Sequence, residues 1–351
     1  ITYDEKLFQK AWKMDYYLDS APYQALVNND KVFYINPQFI HLAVPTQKGI
    51  AQVYRSSSSS SANLELTNVR LTQVNTAGYL CNRHIKAVVP TGDTPAFSKS
   101  GIFKYETNDT RFFQTSFFAN VSTMYDYFMS LGLYTLWPGK RIDLKYDTSN
   151  ESPMYQPYSP SRKRAPYIIL GHGDGVHLQN LIKDPEPAYH ELGHHIVYQS
   201  VKTTSGSSKT IHEALADFFV FAKTNNPCLG ENICPSEGQI CQMQTCLRSA
   251  ENDMKFTDDD LSDQEHVRSQ IFSGMLWDIK SNFSSLDTLA LIVLKSVDFL
   301  PETASRSDFI DALMKADKAL GGSNACLFES AAKERGLTEE LRSANVSCSN
   351  Y

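Results

Sequence analysis

No apolar run in this 351-residue chain reaches the roughly 18 residues of a membrane span. The longest candidate, Leu289-Ala290-Leu291-Ile292-Val293-Leu294, is short enough to read as a core helix. Basic charge is also scarce: the net charge is −6, which argues against a nucleic-acid partner. There is no internal repeat. Seven cysteines occur, at 81, 228, 234, 241, 246, 326 and 348, but no two stand in a C-x-x-C pair. The four between Cys228 and Cys246 therefore read as disulfides in a Gly/Pro/Gln-rich loop rather than as a metal knuckle. Cys326 and Cys348 offer a further bridge, which leaves Cys81 over, buried or unpaired. Disulfides need an oxidising compartment, so an exported, secreted protein is expected. The chain opens Ile1-Thr2-Tyr3-Asp4-Glu5-Lys6, which is no signal peptide and reads as a matured or trimmed product. Sequons at Asn108, Asn120, Asn150, Asn282 and Asn345 matter only where the source glycosylates its proteins.

What is present is ordinary globular material, 42% hydrophobic and long enough for two lobes with a full core. An amphipathic start (Leu7, Phe8, Trp12) leads to strand-like pieces such as Lys31-Val32-Phe33-Tyr34-Ile35. Six serines, Ser56 to Ser61, read as a surface loop. From Leu64 to about Tyr105 alternating and β-branched residues predict an antiparallel sheet. A helix is predicted from about Thr115, with Phe118, Val121, Met124, Tyr125, Phe128 and Leu131 facing the core and Gly132 ending it. Strands follow at Arg141–Tyr146 and Ala165–Leu170, the second running into the glycine turn Gly171-His172-Gly173-Asp174-Gly175. No Lys-Ser/Thr follows that turn, so it is not read as a phosphate loop. Beyond Cys246 the chain is predicted mostly helical, beginning at His266 after a capping pattern, Ser262-Asp263-Gln264-Glu265. Further helices are expected at 286–299, 307–320 and 325–335.

The chemistry concentrates in Tyr189-His190-Glu191-Leu192-Gly193-His194-His195. On a helix, residues four apart share a face, so His190 and His194 can offer two imidazole nitrogens to one metal ion, most plausibly zinc. Glu191 projects beside them, where it can take a proton from a metal-activated water. A catalytic zinc needs a third protein ligand. No further histidine follows in Ile196-Val197-Tyr198-Gln199-Ser200, but a second helical stretch, Ile211 to Phe219, supplies Glu213. Asp217, four residues on, faces the same way and is placed to accept a ligand histidine's N–H. Pro185 and Pro187 stand at the start of the first helix, where proline is tolerated.

These motifs, with two downstream, resemble those of the thermolysin-type zinc metalloproteases, in the gluzincin group that includes the fungalysins. The likeness spans about residues 75 to 340. The glycine turn is similar to the family's Gly-Asp-Gly turn ahead of the zinc helix. His190, His194 and Glu213 match its metal ligands, Glu191 its base, and Asp217 the carboxylate that holds the first histidine. Leu247-Arg248-Ser249 resembles the segment whose arginine binds the substrate carbonyl on the leaving side. His266-Val267-Arg268-Ser269-Gln270-Ile271 resembles the one whose histidine stabilises the oxyanion. In a helix's first turn, His266 would be held neutral and still able to donate.

Several positions depart from the family pattern. No tyrosine stands at the distance of the family's oxyanion tyrosine, and Tyr198 lies only four residues past His194. His212 replaces the usual asparagine before Glu213, where it either orients His194 or faces solvent. Tyr155-Gln156-Pro157-Tyr158 stands near where the family's edge strand grips substrate through an Asn-Ala pair. Around Cys228 to Cys246, where relatives gather calcium ligands, only scattered carboxylates such as Glu231 and Glu237 occur, so disulfides are expected in place of calcium.

The resemblance thus implies an α+β, two-lobed fold: a β-rich lobe over 63–200 ending in the zinc helix, and a mainly helical lobe over 201–351, with 1–62 an extension of unclear role. It implies a zinc endopeptidase acting on proteins or peptides; nothing in the sequence fixes the oligomeric state, and a monomer is the expectation. Two other readings remain. Eighteen residues separate His194 from Glu213, a spacing that also suits a zinc aminopeptidase, although no Gly-x-Met-x-Asn segment is present to grip an N-terminus. A non-catalytic binding protein, such as an adhesin, on the same fold would normally have lost the base or a ligand.

Overall fold

The computed structural model describes residues 12–18, 21–28, 31–37, 46–56, 64–133, 141–235, 246–257 and 264–351, the first three segments by backbone alone. Leu7, Phe8, Ser57 to Ser61, Glu237, Cys241 and Ser262 lie outside them. Strands β1 (Trp12–Leu18), β2 (Ala21–Asn28) and β3 (Lys31–Pro37) form an antiparallel sheet, so Trp12 belongs to a strand rather than to an amphipathic start. Strands β4 (Thr46–Ser56) and β5 (Leu64–Asn75) pair antiparallel, with β7 (Ile102–Phe103) on the other edge of β4. The expected 62/63 boundary lies outside the described residues.

The stretch from Leu64 to Tyr105 does not make one antiparallel sheet. β6 (Ile85–Val88) leaves for a different sheet, of order β6-β8-β10-β9, and pairs parallel with β8 (Ile142–Tyr146). β10 (Tyr167–Leu170) is also parallel to β8, and β9 (Met154–Gln156) closes the edge antiparallel to β10. The parallel pairing of β6 and β8 requires a long crossover. Helix α1 (Thr110–Ser130) supplies it, starting five residues earlier than its apolar spacing alone suggests because Asp109 caps it by accepting from Arg111 N. Phe113 and Phe117 join the expected stripe in being buried, so α1 is a central helix apolar on most sides, packed against β4, β6 and the next helix. Asn120 is buried with them and accepts from Arg55 Nη1, which closes that sequon in the folded chain.

Helix α2 (Glu186–Val197) carries the His-Glu-x-x-His motif, and α3 (Gly206–Thr224) carries Glu213 and Asp217. The two pack closely because of Gly193: a Cβ there would stand 2.8 Å from Ala216 Cα, nearer than real Cβ atoms come. The pair β11 (Cys228–Leu229) and β12 (Arg248–Ser249) follows. The rest is helical: α4 (Glu265–Asp278), α5 (Leu286–Ser296), α6 (Arg306–Ala319), α7 (Ala325–Glu334) and the short α8 (Thr338–Ser343). α4 begins at Glu265, with Gln264 as its cap residue. Cys228 is bonded to Cys246 and Cys326 to Cys348, Cys234 is disulfide-bonded, and Cys81 is free and buried. No helix among the described residues is long and apolar enough to cross a membrane. The architecture is the expected α+β one, β-rich before α2 and helical after it.

Candidate metal centre

Helices α2 and α3 bring four of the sequence's candidates to one point. His190, Glu191 and His194 offer ligand atoms within 4.8 Å of one another, the one such group of three among the described residues. Glu213 Oε2 lies 3.2 Å from His190 Nε2 and 3.5 Å from His194 Nε2. That oxygen is buried and no neighbour is aligned to donate a hydrogen bond to it, so the imidazoles around it offset its charge while a site for a cation stays open between them. Two ligands of a tetrahedral zinc with bonds of about 2.0–2.1 Å stand about 3.3–3.4 Å apart. The nitrogen-to-oxygen spacings straddle this edge length, so these donors fit a zinc-sized cation.

His190 is oriented from behind. Its Nδ1 lies 2.8 Å from Asp217 Oδ1, and Asp217 in turn receives Arg248 through Nε at 2.6 Å and Nη2 at 2.7 Å. Asp217 is fully buried and Arg248 nearly so. Burial alone would raise the Asp217 pKa, but the Arg248 charge and the His190 hydrogen bond outweigh it and hold the carboxyl below its ordinary range. Burial would likewise lower His190, yet Asp217 and Glu213 push it up to about 10. For Glu213, burial is outweighed by the charge of His194 and by His190, so its carboxyl is held far down. Glu191 moves the other way: burial raises it above the usual carboxylate value.

The remaining candidates take unequal positions. Arg248 lines the cleft, but two of its three nitrogens are committed to Asp217, a pairing that nothing local in the sequence signals. His266, in the first turn of α4 and half exposed, puts Nε2 3.2 Å from Glu213 Oε2. His212 is buried rather than solvent-facing; its Nε2 donates to Val201 O at 3.0 Å, and burial lowers its pKa to about 4. Tyr155, on the edge strand β9, shares a 3.0 Å hydrogen bond with His195 Nδ1, and its ring meets Tyr198 edge-on. Sequence reasoning passed over Lys209. It lines the cleft one helical turn before Glu213, and the spacing Lys209, Glu213, Asp217 was the available signal.

His190, Glu191, His194, Glu213, Arg248 and His266 line one cleft of about 750 Å³. Its walls near Arg248 are apolar, built from Leu178, Leu229, Ile233 and Leu247.

No family model matches this sequence, and no curated protein does. Solved structures do match its fold. Among them is a structure titled precursor of protealysin, a metalloproteinase from Serratia proteamaculans, with a TM-score of 0.54 over 85% of this chain and 90% of that one. The two sequences are 13% identical, so the likeness is one of fold: this chain has the two-lobed α+β architecture of a thermolysin-like metalloproteinase.

Proposed function

We propose that this chain is a zinc-dependent endopeptidase that is exported and works as a monomer without calcium. The observation that carries the reading is Glu213 Oε2, a buried carboxylate oxygen with no hydrogen bond and imidazole Nε2 atoms at zinc-ligand spacing around it. His190, His194 and Glu213 would hold the metal, and Asp217 would fix His190 with Nδ1 protonated and Nε2 free to ligate. Polarisation of a water and of the scissile carbonyl is what zinc supplies when bound. Glu191 takes the attacking water's proton and passes it to the leaving nitrogen. His266 donates to the developing oxyanion, a contribution of about 2.7–4 kcal/mol for a well-placed donor. Arg248 has Nη1 left to reach a substrate carbonyl, while its other nitrogens stay on Asp217. The apolar wall beside it accepts an apolar side chain next to the scissile bond. The disulfides support export, and the fold likeness to a metalloproteinase supports a peptide substrate.

The test is cleavage of a mixed, end-blocked peptide pool read by mass spectrometry, with zinc content measured and Glu191→Gln run alongside. Internal cuts by the wild type that vanish in a zinc-loaded Glu191→Gln protein are expected. Cleavage confined to free N-termini would replace the reading with an aminopeptidase.

A second reading has its own observation. His266 Nε2 stands as close to Glu213 Oε2 as His190 Nε2 does, 3.2 Å in each case. Were His266 a fourth ligand, the site would be closed like a structural zinc and the protein a binding module. Zinc affinity of His266→Ala separates the two. A large fall marks a ligand, whereas unchanged affinity with slowed cleavage marks the oxyanion donor.

A further inference from the structure

Lys209, Glu213 and Asp217 follow one another at four-residue spacing along a single face of α3, each step a rise of about 6 Å. The metal-site oxygen of Glu213 is in the middle of this ladder. At one end, Asp217 anchors Arg248, which lies in β12 opposite Leu229 and directly after Leu247, so the apolar wall belongs to that end. At the other end, about 12 Å away along the helix axis, stands Lys209 with the uncharged Thr204 and Gln264 nearby in the cleft lining.

Two permanently cationic side chains line the cleft among the described residues, and they differ in availability. Arg248 is buried and held by two bonds to Asp217. Among the described residues Lys209 is paired with Glu265, Nζ to Oε2 at 3.3 Å, and both side chains are about one-third exposed. A single long contact between two solvated charges contributes little, so Lys209 can exchange it for a substrate carboxylate at small cost. Among the described residues, the carboxylates lining the cleft are Glu191 and Glu213, which face the candidate metal site rather than Lys209.

We infer that Lys209 is a specificity-determining residue that selects substrates with an acidic side chain across the scissile bond from the apolar one. This rests on the peptidase reading. The bond being cut must sit over the metal site, so its two flanks fall toward the two ends of the α3 ladder. The apolar flank meets Leu229 and Leu247; the other meets Lys209. Glu265 acts as the gate, occupying the ammonium until an acidic substrate displaces it.

The experiment uses end-blocked peptides matched around one bond, with Leu on one flank and Asp, Asn or Lys on the other, in both orientations. Values of kcat/KM are measured for the wild type, Lys209→Met and Lys209→Glu, each with zinc content and circular dichroism recorded. In one orientation the wild type is expected to prefer Asp over Asn by about fivefold, the order of one partly exposed charge-assisted contact. The preference falls to about one in Lys209→Met and turns toward Lys in Lys209→Glu. A wild-type Asp-to-Asn ratio of one or below in both orientations overturns the inference, as does a ratio unmoved by Lys209→Met. If zinc-loaded wild type cuts no peptide of the set, the peptidase reading fails and this inference falls with it.

Discussion

Arg248 and Asp217 meet through two bonds, Nε to Oδ2 at 2.6 Å and Nη2 to Oδ1 at 2.7 Å, and the same Oδ1 lies 2.8 Å from His190 Nδ1. One carboxylate therefore joins a strand, β12, to a histidine of the candidate metal site on α2. Removing the arginine leaves Asp217, at full burial, with His190 Nδ1 as its one remaining partner among the described residues. Arg248→Ala should destabilise the fold by about 3–5 kcal/mol, the usual cost of breaking a buried pair from one side. Zinc affinity should fall by about 10- to 100-fold as His190 loses its fixed orientation. Urea unfolding and chelator competition measure the two. Arg248→Lys keeps the charge but not the two-point geometry, and should fall between.

Gly193 controls how near Glu213 can come to the histidines. A methyl group there would press on Ala216, whose Cα would be 2.8 Å and Cβ 3.1 Å from it. Gly193→Ala must push α2 and α3 apart, a cost of about 1–3 kcal/mol for overpacking. The shift also widens the gap between Glu213 and the two imidazoles, so zinc should bind more weakly. Gly193→Ala,Ala216→Gly, which returns the space, should recover part of both losses. No recovery would show that the glycine matters for another reason.

The two helices of the candidate site were legible because helical period is local: His190/His194 and Glu213/Asp217 each declare a face within five residues. That the cysteines pair as disulfides was legible from their number and spacing. What could not be read was pairing across distance. Alternation marks Ile85–Val88 as a strand, but its parallel partner Ile142–Tyr146 lies beyond the whole of α1. Arg248 reads as a free substrate contact until the fold brings Asp217, thirty-one residues away, against it. Asp184 and Glu186 look like ordinary acidic residues at a helix start, yet they are 1% and 8% exposed, because β11 and the following turn cover them. Charge near a helix N-terminus is visible in sequence; its burial is not.

The Cys228–Cys246 disulfide ties β11, which carries Leu229, to the residues that lead into β12 and Arg248. It bounds a loop of 18 residues' separation, and closing a loop of that length stabilises by about 3 kcal/mol. Cys228→Ser,Cys246→Ser should lower stability by about this amount, read from denaturant midpoints. The same variant frees the strand that holds Arg248, so chelator competition should show weaker zinc binding as well. Stability loss with unchanged zinc affinity would mean that β11 and β12 hold Arg248 in place without the bridge.

The covered pair at the start of α2 gives the pH dependence a definite sign. Asp184 Oδ1 accepts from Glu186 N at 2.8 Å, and Glu186 Oε2 accepts from Gly230 N at 2.6 Å. Burial, with the negative charge of Glu231 adding to it, pushes Asp184 up to about 6 from an ordinary 3.8. Burial and the neighbouring Asp184 push Glu186 well above its ordinary 4.5. The folded state thus holds protons that the unfolded chain has already released. This contribution to stability is complete below about pH 4 and is lost as pH rises through 6 and beyond, by up to about 1.4 kcal/mol per pH unit for each proton. Carboxylates with depressed values, Asp217 among them, act in the opposite direction, so the wild-type profile alone does not isolate the pair. The difference from Asp184→Asn does: measured in EDTA, the wild type should gain stability relative to that variant as pH falls from 7 to 5. A difference that stays constant over this range would mean that Asp184 is ionised in the fold, held by a partner strong enough to offset its burial.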